Sequence, residues 1–185
     1  MSGGRDAALR IEHAGIERRA EIEAVHGDAF GGRVEGQLAT ALLLDPTATP
    51  LVSLLALIGS DPVGHVLFTH ALVRRGAQTA AAALLCPLGV VPTAQRQGVG
   101  SALVRAGLDQ LQSGGVPTQF VFGDPAYYGR FGFVSAQEAS VEPPHPIPKE
   151  WRHAFMIRAG REHAGAPAGV LSCAARLDDP DLWIV

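Results

Sequence analysis

Leu88-Gly-Val-Val-Pro-Thr-Ala-Gln-Arg-Gln-Gly-Val-Gly-Ser101 reads as a strand end, a short loop and the opening of a helix. Pro87 cannot donate to a strand ladder and Gly89 offers no side chain to pack, so a bulge or a splayed strand end is expected near Leu88–Val90. A splayed end leaves amide N–H groups aimed at a ligand. Just downstream, the amides of Arg96, Gln97, Gly98, Val99, Gly100 and Ser101 open a helix and lack intrahelical partners. Glycines there let a phosphate come close, the helix dipole favours the anion, and Arg96 adds a charged donor. Together these groups suit an extended ligand with a pyrophosphate at one end. The plainer role of Gly98 and Gly100 is close helix–sheet packing, which is commoner for a lone G-x-G. A dinucleotide-binding turn competes, with Asp124 after the next strand as its ribose-binding acid. Against it, Leu103 stands where a third glycine belongs, and Val91–Arg96 separates the strand from the first glycine.

The flanking sequence sets this junction in an α/β fold. Leu9–His13 alternates like a strand, Ile16 to about Ala29 carries Ile22, Val25 and Ala29 at helical spacing, and Val34–Leu44 repeats the pattern until Asp45-Pro46 ends it. Leu51–Ile58, Val63–Val73 and Thr79–Val90 are apolar runs joined by short turns, and short turns demand antiparallel pairing. Gly98–Gln112 is helical and stops at Gly114-Gly115, and Thr118–Phe122 is a strand parallel to Thr79–Val90 through a right-handed crossover. A short helix at Ala126–Arg130, a strand at Phe133–Ser135, a proline-rich loop from Glu142 to Pro148, and strands near Phe155–Ala159 and Val170–Leu177 follow. The expected architecture is one domain over residues 1–185, with its core at about 9–177. It has a mixed, mostly antiparallel sheet, a splayed strand pair and helices on both faces.

Composition narrows the function. The 185 residues are 47% hydrophobic and 18% charged, with a net charge of -3, which suits a packed domain and lacks the basic surface of a nucleic-acid binder. Cys86 and Cys173 have neither metal nor disulfide spacing, and the longest apolar stretch is too short to span a bilayer. The start has no apolar signal region. A cytoplasmic protein without a metal, a nucleic-acid partner or a membrane partner is the expectation, as a monomer or a homodimer.

Gln95-x-x-Gly98-x-Gly100, preceded by Leu88-Gly-Val90 and Pro92, resembles the acetyl-CoA signature of the GNAT superfamily of N-acetyltransferases. The order of helices, hairpins and strand–helix–strand is similar to that family's fold. Gly123-Asp-Pro-Ala-Tyr-Tyr-Gly-Arg-Phe-Gly-Phe133 resembles its tyrosine-x-x-x-glycine-phenylalanine element, in a form most like a bacterial subgroup whose substrates are poorly known. Gly64-His-Val-Leu-Phe68 and Ala154-Phe-Met156 are also similar to that subgroup. The likeness spans Leu9 to Leu177.

This resemblance implies transfer of an acetyl group from acetyl-CoA to an amine of a small molecule or protein, by direct attack in a ternary complex. The pantetheine arm would add to Leu88, Gly89 and Val90 as a pseudo-strand, and the pyrophosphate would rest on the amides from Arg96 to Ser101. The Val90 N–H would serve the developing oxyanion. Tyr128, four residues before Gly132, matches the family's tyrosine as acid for the departing thiolate; Tyr127 is the alternative, and packing of the short helix is the plainer role of both rings. An amine of pKa about 10.4 needs a base at neutral pH. Glu35 and His65 are the candidates beside the acceptor, although a helix-start glutamate is commonly a dipole partner and a strand histidine commonly structural. His145, His153 and His163 read as solvated loop residues. A non-catalytic acyl-CoA sensor is the alternative function, and a dinucleotide-dependent oxidoreductase stands behind it.

Overall fold

The computed structural model describes residues 8–159 and 168–184; His163 lies outside them. Among the described residues nine strands form one sheet: β1 (Leu9–His13), β2 (Val52–Ile58), β3 (Asp61–Arg75), β4 (Gln78–Val90), β5 (Thr118–Phe122), β6 (Val134–Ser135), β7 (Val141–Glu142), β8 (Phe155–Ala159) and β9 (Gly169–Ser172). The order is β1-β2-β3-β4-β5-β8-β6, with β9 on the far half of β3 and β7 beside β9. Only β4–β5 and β7–β9 are parallel. The expected antiparallel hairpins and the parallel step to Thr118–Phe122 are therefore present.

Within the described residues four α-helices accompany the sheet: α1 (Arg19–Phe30), α2 (Val34–Leu43), α3 (Val99–Ser113) and α4 (Pro125–Tyr128). Alternation along β3 assigns their sides. Gly64 and Phe68 meet α3, whose Val99, Leu103 and Gly107 crowd them, whereas His65 meets His26 of α1. Helices thus cover both faces. Gly107 is fixed by packing, because a β-carbon there would stand 2.2 Å from the Phe68 ring.

Several boundaries differ from the sequence reading. Ile16–Arg18 is a 3-10 turn, and α1 begins only at Arg19. The late strand ends at Ser172, and Ala175–Leu177 turns instead, capped by contacts from Thr47 and Asp45 to the amides of Ala175 and Arg176. Val141–Glu142 pairs with Gly169–Val170, so the proline-rich segment opens on a short strand.

Candidate acyl-transfer site

The site is built where β4 leaves β5. Pairing between them covers only Ala83–Leu85 against Gln119–Val121, while β4 runs five residues further along β3 to Val90. Two β4 residues, Cys86 and Pro87, stand opposite Leu67 alone, a bulge just ahead of the Leu88–Val90 stretch where the sequence suggested a bulge or a splayed end. Beyond it the polar edge of β4 has a definite direction. The Val91 amide donates to Val63 O at 3.0 Å, so Gly89 also faces β3, and the N–H groups of Leu88 and Val90 face away from it. The Val90 carbonyl, on that open side, accepts from the Gln95 side chain at 3.0 Å. Gln95, which entered the sequence reading as a motif residue, braces the strand end.

The helix opening supplies the second half. Between Arg96 and Ser101 no amide finds a main-chain acceptor; Ala102 is the first to do so, bonding Gly98 O at 2.9 Å. Arg96 and Gly98 both have positive φ, 59° and 88°, so the chain turns sharply ahead of α3 while these N–H groups stay without main-chain acceptors. A β-carbon at Gly98 would meet nothing within 4 Å, so that face is open. Gly100 is different. A β-carbon there would lie 2.5 Å from the Tyr127 hydroxyl, so this glycine seats a phenol.

The two tyrosines divide. Tyr127 lies over the start of α3 beside Ser101, with the Arg130 guanidinium 4.1 Å from its ring centre. Burial raises its pKa despite that charge. Tyr128 packs on Gly123 at the end of β5, edge-on to Phe133. Burial, aided by Tyr127, Cys86 and Asp124, pushes its phenol well above the ordinary value, so it stays protonated at neutral pH. Burial also pushes the Cys86 thiol up to about 12, with the charges of Cys173 and Glu35 adding to it. Glu35, half-buried in the first turn of α2, and Tyr128 therefore both lie within electrostatic reach of Cys86, at the point where the strands part.

His65 lies elsewhere. It is wholly buried and both ring nitrogens are occupied: Nε2 is 3.0 Å from Ser53 Oγ, and Nδ1 is 2.9 Å from His26 Nε2. Ser53 donates to Ala14 O at 2.5 Å, so its oxygen accepts from His65 Nε2–H, and His65 Nδ1 in turn accepts from His26 Nε2–H. The chain ends at His26 Nδ1, a buried lone pair without a partner, lying against Gly89. Burial lowers both histidines, His26 to about 4 and His65 to about 3. Sequence reasoning passed over His26, although it stands four residues after Ile22 on the inward stripe of α1. His145, expected to be solvated, is bonded to Asp178 at 2.8 Å.

Among the described residues no cluster of three potential metal ligands occurs, and no helix is long and apolar enough to cross a membrane.

The acetyltransferase (GNAT) domain family matches residues 12–136, more than half of the chain. The chain belongs to the GNAT acetyltransferases. It is 36% identical over 163 residues to the uncharacterized N-acetyltransferase YjhQ of Escherichia coli (strain K12), covering 88% of each chain. The GNAT fold is shared with E. coli YhbS, solved in complex with CoA, at a TM-score of 0.80 and 24% identity, covering 97% of this chain and 96% of that one. A GNAT acetyltransferase from Brucella melitensis, solved with acetyl-CoA, has a TM-score of 0.74 and 27% identity, covering 93% of this chain and 99% of the other.

Proposed function

We propose that this GNAT enzyme transfers the acetyl group of acetyl-CoA directly to an amine within a ternary complex. The observation that carries this reading is the unpaired edge of β4, with the Leu88 and Val90 N–H groups turned from β3 toward the side where β5 has departed. A pantetheine arm carries amides at the spacing of a strand and can pair with that edge, and the amides from Arg96 to Ser101, free of main-chain acceptors at the helix opening, suit the diphosphate. Structures of YhbS with CoA and of the Brucella enzyme with acetyl-CoA support the same choice of donor.

The reaction follows from these groups. An ammonium R–NH3+ loses one proton, to the Glu35 carboxylate or to water, and the neutral nitrogen attacks the thioester carbon. Charge grows on the carbonyl oxygen, where the fixed Val90 N–H stabilises it. The C–S bond then breaks as the amide forms. The thiolate takes a proton from the Tyr128 phenol, which is replenished by the second proton leaving nitrogen. The products are the acetamide, coenzyme A thiol and one released proton. Arg96 and Arg130 flank the diphosphate end and contribute binding, not chemistry.

Thermal-shift titration tests the reading, because a ligand that binds only the folded chain raises its melting temperature. Acetyl-CoA is expected to raise it and NADPH to leave it unchanged, with thiol release once an acceptor is present. A shift with NADPH alone would replace the proposal by dinucleotide chemistry. Acetyl-CoA binding without turnover on any amine would leave a sensor.

A further inference from the structure

Beside the parting strands lies a cavity of about 120 Å³ whose lining includes Leu38, Leu84, Cys86, Phe122, Leu177 and Trp183. We propose that this cavity receives the acceptor, and that its preferred substrates are primary amines bearing one aromatic or branched apolar group, with the ammonium held by Glu35 at the rim. The inference rests on the acetyltransferase reading above and adds the chemical class of the acceptor.

The location comes first. The cavity touches Leu85, the last β4 residue paired with β5, and Cys86, the first in the bulge. It opens on the side of the sheet covered by α2, since Leu38 of that helix forms part of its wall. A donor entering along the open edge of β4 would therefore end next to it.

The lining then selects. Its only side-chain donors are already committed or inert: the Trp183 indole N–H bonds Leu177 O at 3.0 Å, and burial holds the Cys86 thiol protonated. Phe122 and Trp183 stack at 5.9 Å with 16° between their planes, presenting flat apolar surface. A polyamine or an amino sugar would have to leave cationic or hydroxyl groups there without partners, which is strongly unfavourable. An apolar group of suitable size loses nothing. A cavity of roughly 150 Å³ lined by aliphatic and aromatic groups takes a benzene ring, so about 120 Å³ suits one ring or one branched alkyl group.

The charge fixes the orientation. Glu35 stands three residues before Leu38 on the same face of α2, and its carboxylate acts on Cys86. An ammonium held there, with its apolar group inside, leaves nitrogen beside the parting strands. A longer acyl chain on the donor would gain nothing from a carboxylate at this position. The larger cavity among Glu142, His145, Ile147 and Arg152, of about 290 Å³, touches none of β4, α3 or α4 and plays no part.

The test couples acetyl-CoA calorimetry to initial rates of thiol release with 2-phenylethylamine, isoamylamine, spermidine and kanamycin. The expected result is a kcat/KM for the two apolar amines at least tenfold above that for spermidine or kanamycin. Glu35→Gln should raise the amine KM about tenfold with acetyl-CoA affinity as in the native chain. Leu182→Trp, at the half-exposed edge of the cavity, should raise it selectively for 2-phenylethylamine. Faster turnover of spermidine or kanamycin, no turnover of either apolar amine, or an unchanged KM in Glu35→Gln would overturn the inference while acetyl-CoA binding upheld the enzyme class. So would octanoyl-CoA serving better than acetyl-CoA and losing that advantage in Leu182→Trp, since the cavity would then hold the donor's tail. Failure of acetyl-CoA to bind would remove both readings.

Discussion

His26 and Gly89 occupy one space: a β-carbon built on Gly89 would stand 2.6 Å from His26 Nδ1 and 3.0 Å from Cε1. The imidazole is held in place by His65 on its other side, so it cannot retreat. The strand that presents Leu88 and Val90 is thereby fixed against α1 by a ring lying on a bare α-carbon. Gly89→Ala should destabilise the fold by about 1–3 kcal/mol, the usual cost of overpacking a filled interior. In a His26→Ser background the same substitution should cost less than half as much, and chemical denaturation of the four proteins in this cycle measures the difference. Equal costs in both backgrounds would show that the ring does not set the position of β4.

The same histidine pair makes stability depend on pH, with a definite sign. Both rings are neutral in the fold because burial depresses their pKa values, to about 4 for His26 and about 3 for His65, below the ordinary 6.5. Between about pH 6.5 and pH 4 the unfolded chain therefore binds protons that the folded chain refuses. Stability is complete above the unfolded value and falls as pH drops through this window, by up to about 1.4 kcal/mol per pH unit for each ring. Melting temperatures from pH 7.5 to 4.5 should trace that decline. His65→Met should shallow it while leaving Ser53 bonded to Ala14, and an unchanged slope would assign the acid sensitivity to other groups.

How much of this was legible in the sequence follows from where each signal resides. The open edge of β4 was readable because Pro87 and Gly89 are local statements about backbone pairing, and the helix opening with its free amides because Gly98 and Gly100 mark it. Thr118–Phe122 and Phe155–Ala159 were read to the residue, being short apolar strands with clear ends. The His26–His65–Ser53 chain was not readable. Its members lie 39 and 12 residues apart, and no local pattern announces that a helix and two strands will bring them together. For the same reason the sequence left His65 as a candidate base beside the commoner structural role, and only its partners, which leave it no free lone pair, decide for the latter. Gly100 looked like a phosphate glycine, and the Tyr127 hydroxyl over it belongs to a helix that follows a different strand.

Charge at the helix opening gives a sharper experiment than bulk does. Gly98 has φ of 88° and open space beyond its α-carbon, so both Asn and Asp are tolerated there better than other side chains, at a similar conformational cost. Gly98→Asp would set a carboxylate against the diphosphate at its proposed seat, whereas Gly98→Asn supplies the same shape without charge. Acetyl-CoA affinity by calorimetry should fall at least tenfold more in the Asp variant than in the Asn variant, and added salt should narrow the gap by screening the repulsion. Matching affinities at low salt would place the diphosphate elsewhere.

The division of labour between the two phenols can be separated kinetically. Tyr128 sits at the end of β5, protonated and within reach of Cys86, where a departing thiolate would emerge, whereas Tyr127 covers the start of α3. Tyr128→Phe keeps the ring on Gly123 and removes only the proton donor. It should lower kcat by roughly 10²-fold, the lower range for a positioned acid, with the acetyl-CoA KM within about twofold of the native value. Tyr127→Phe should do the reverse, weakening acetyl-CoA binding and sparing kcat, because its hydroxyl lies over Gly100 and beside Ser101, where the proposal puts the diphosphate, and away from the reacting atoms. Saturation kinetics on both variants, varying acetyl-CoA at fixed amine, reads the two effects separately. If kcat survives in Tyr128→Phe and collapses in Tyr127→Phe, the roles are exchanged. If it survives in both, the thiolate departs without help from a phenol, as a leaving group of pKa about 8.5 is able to do.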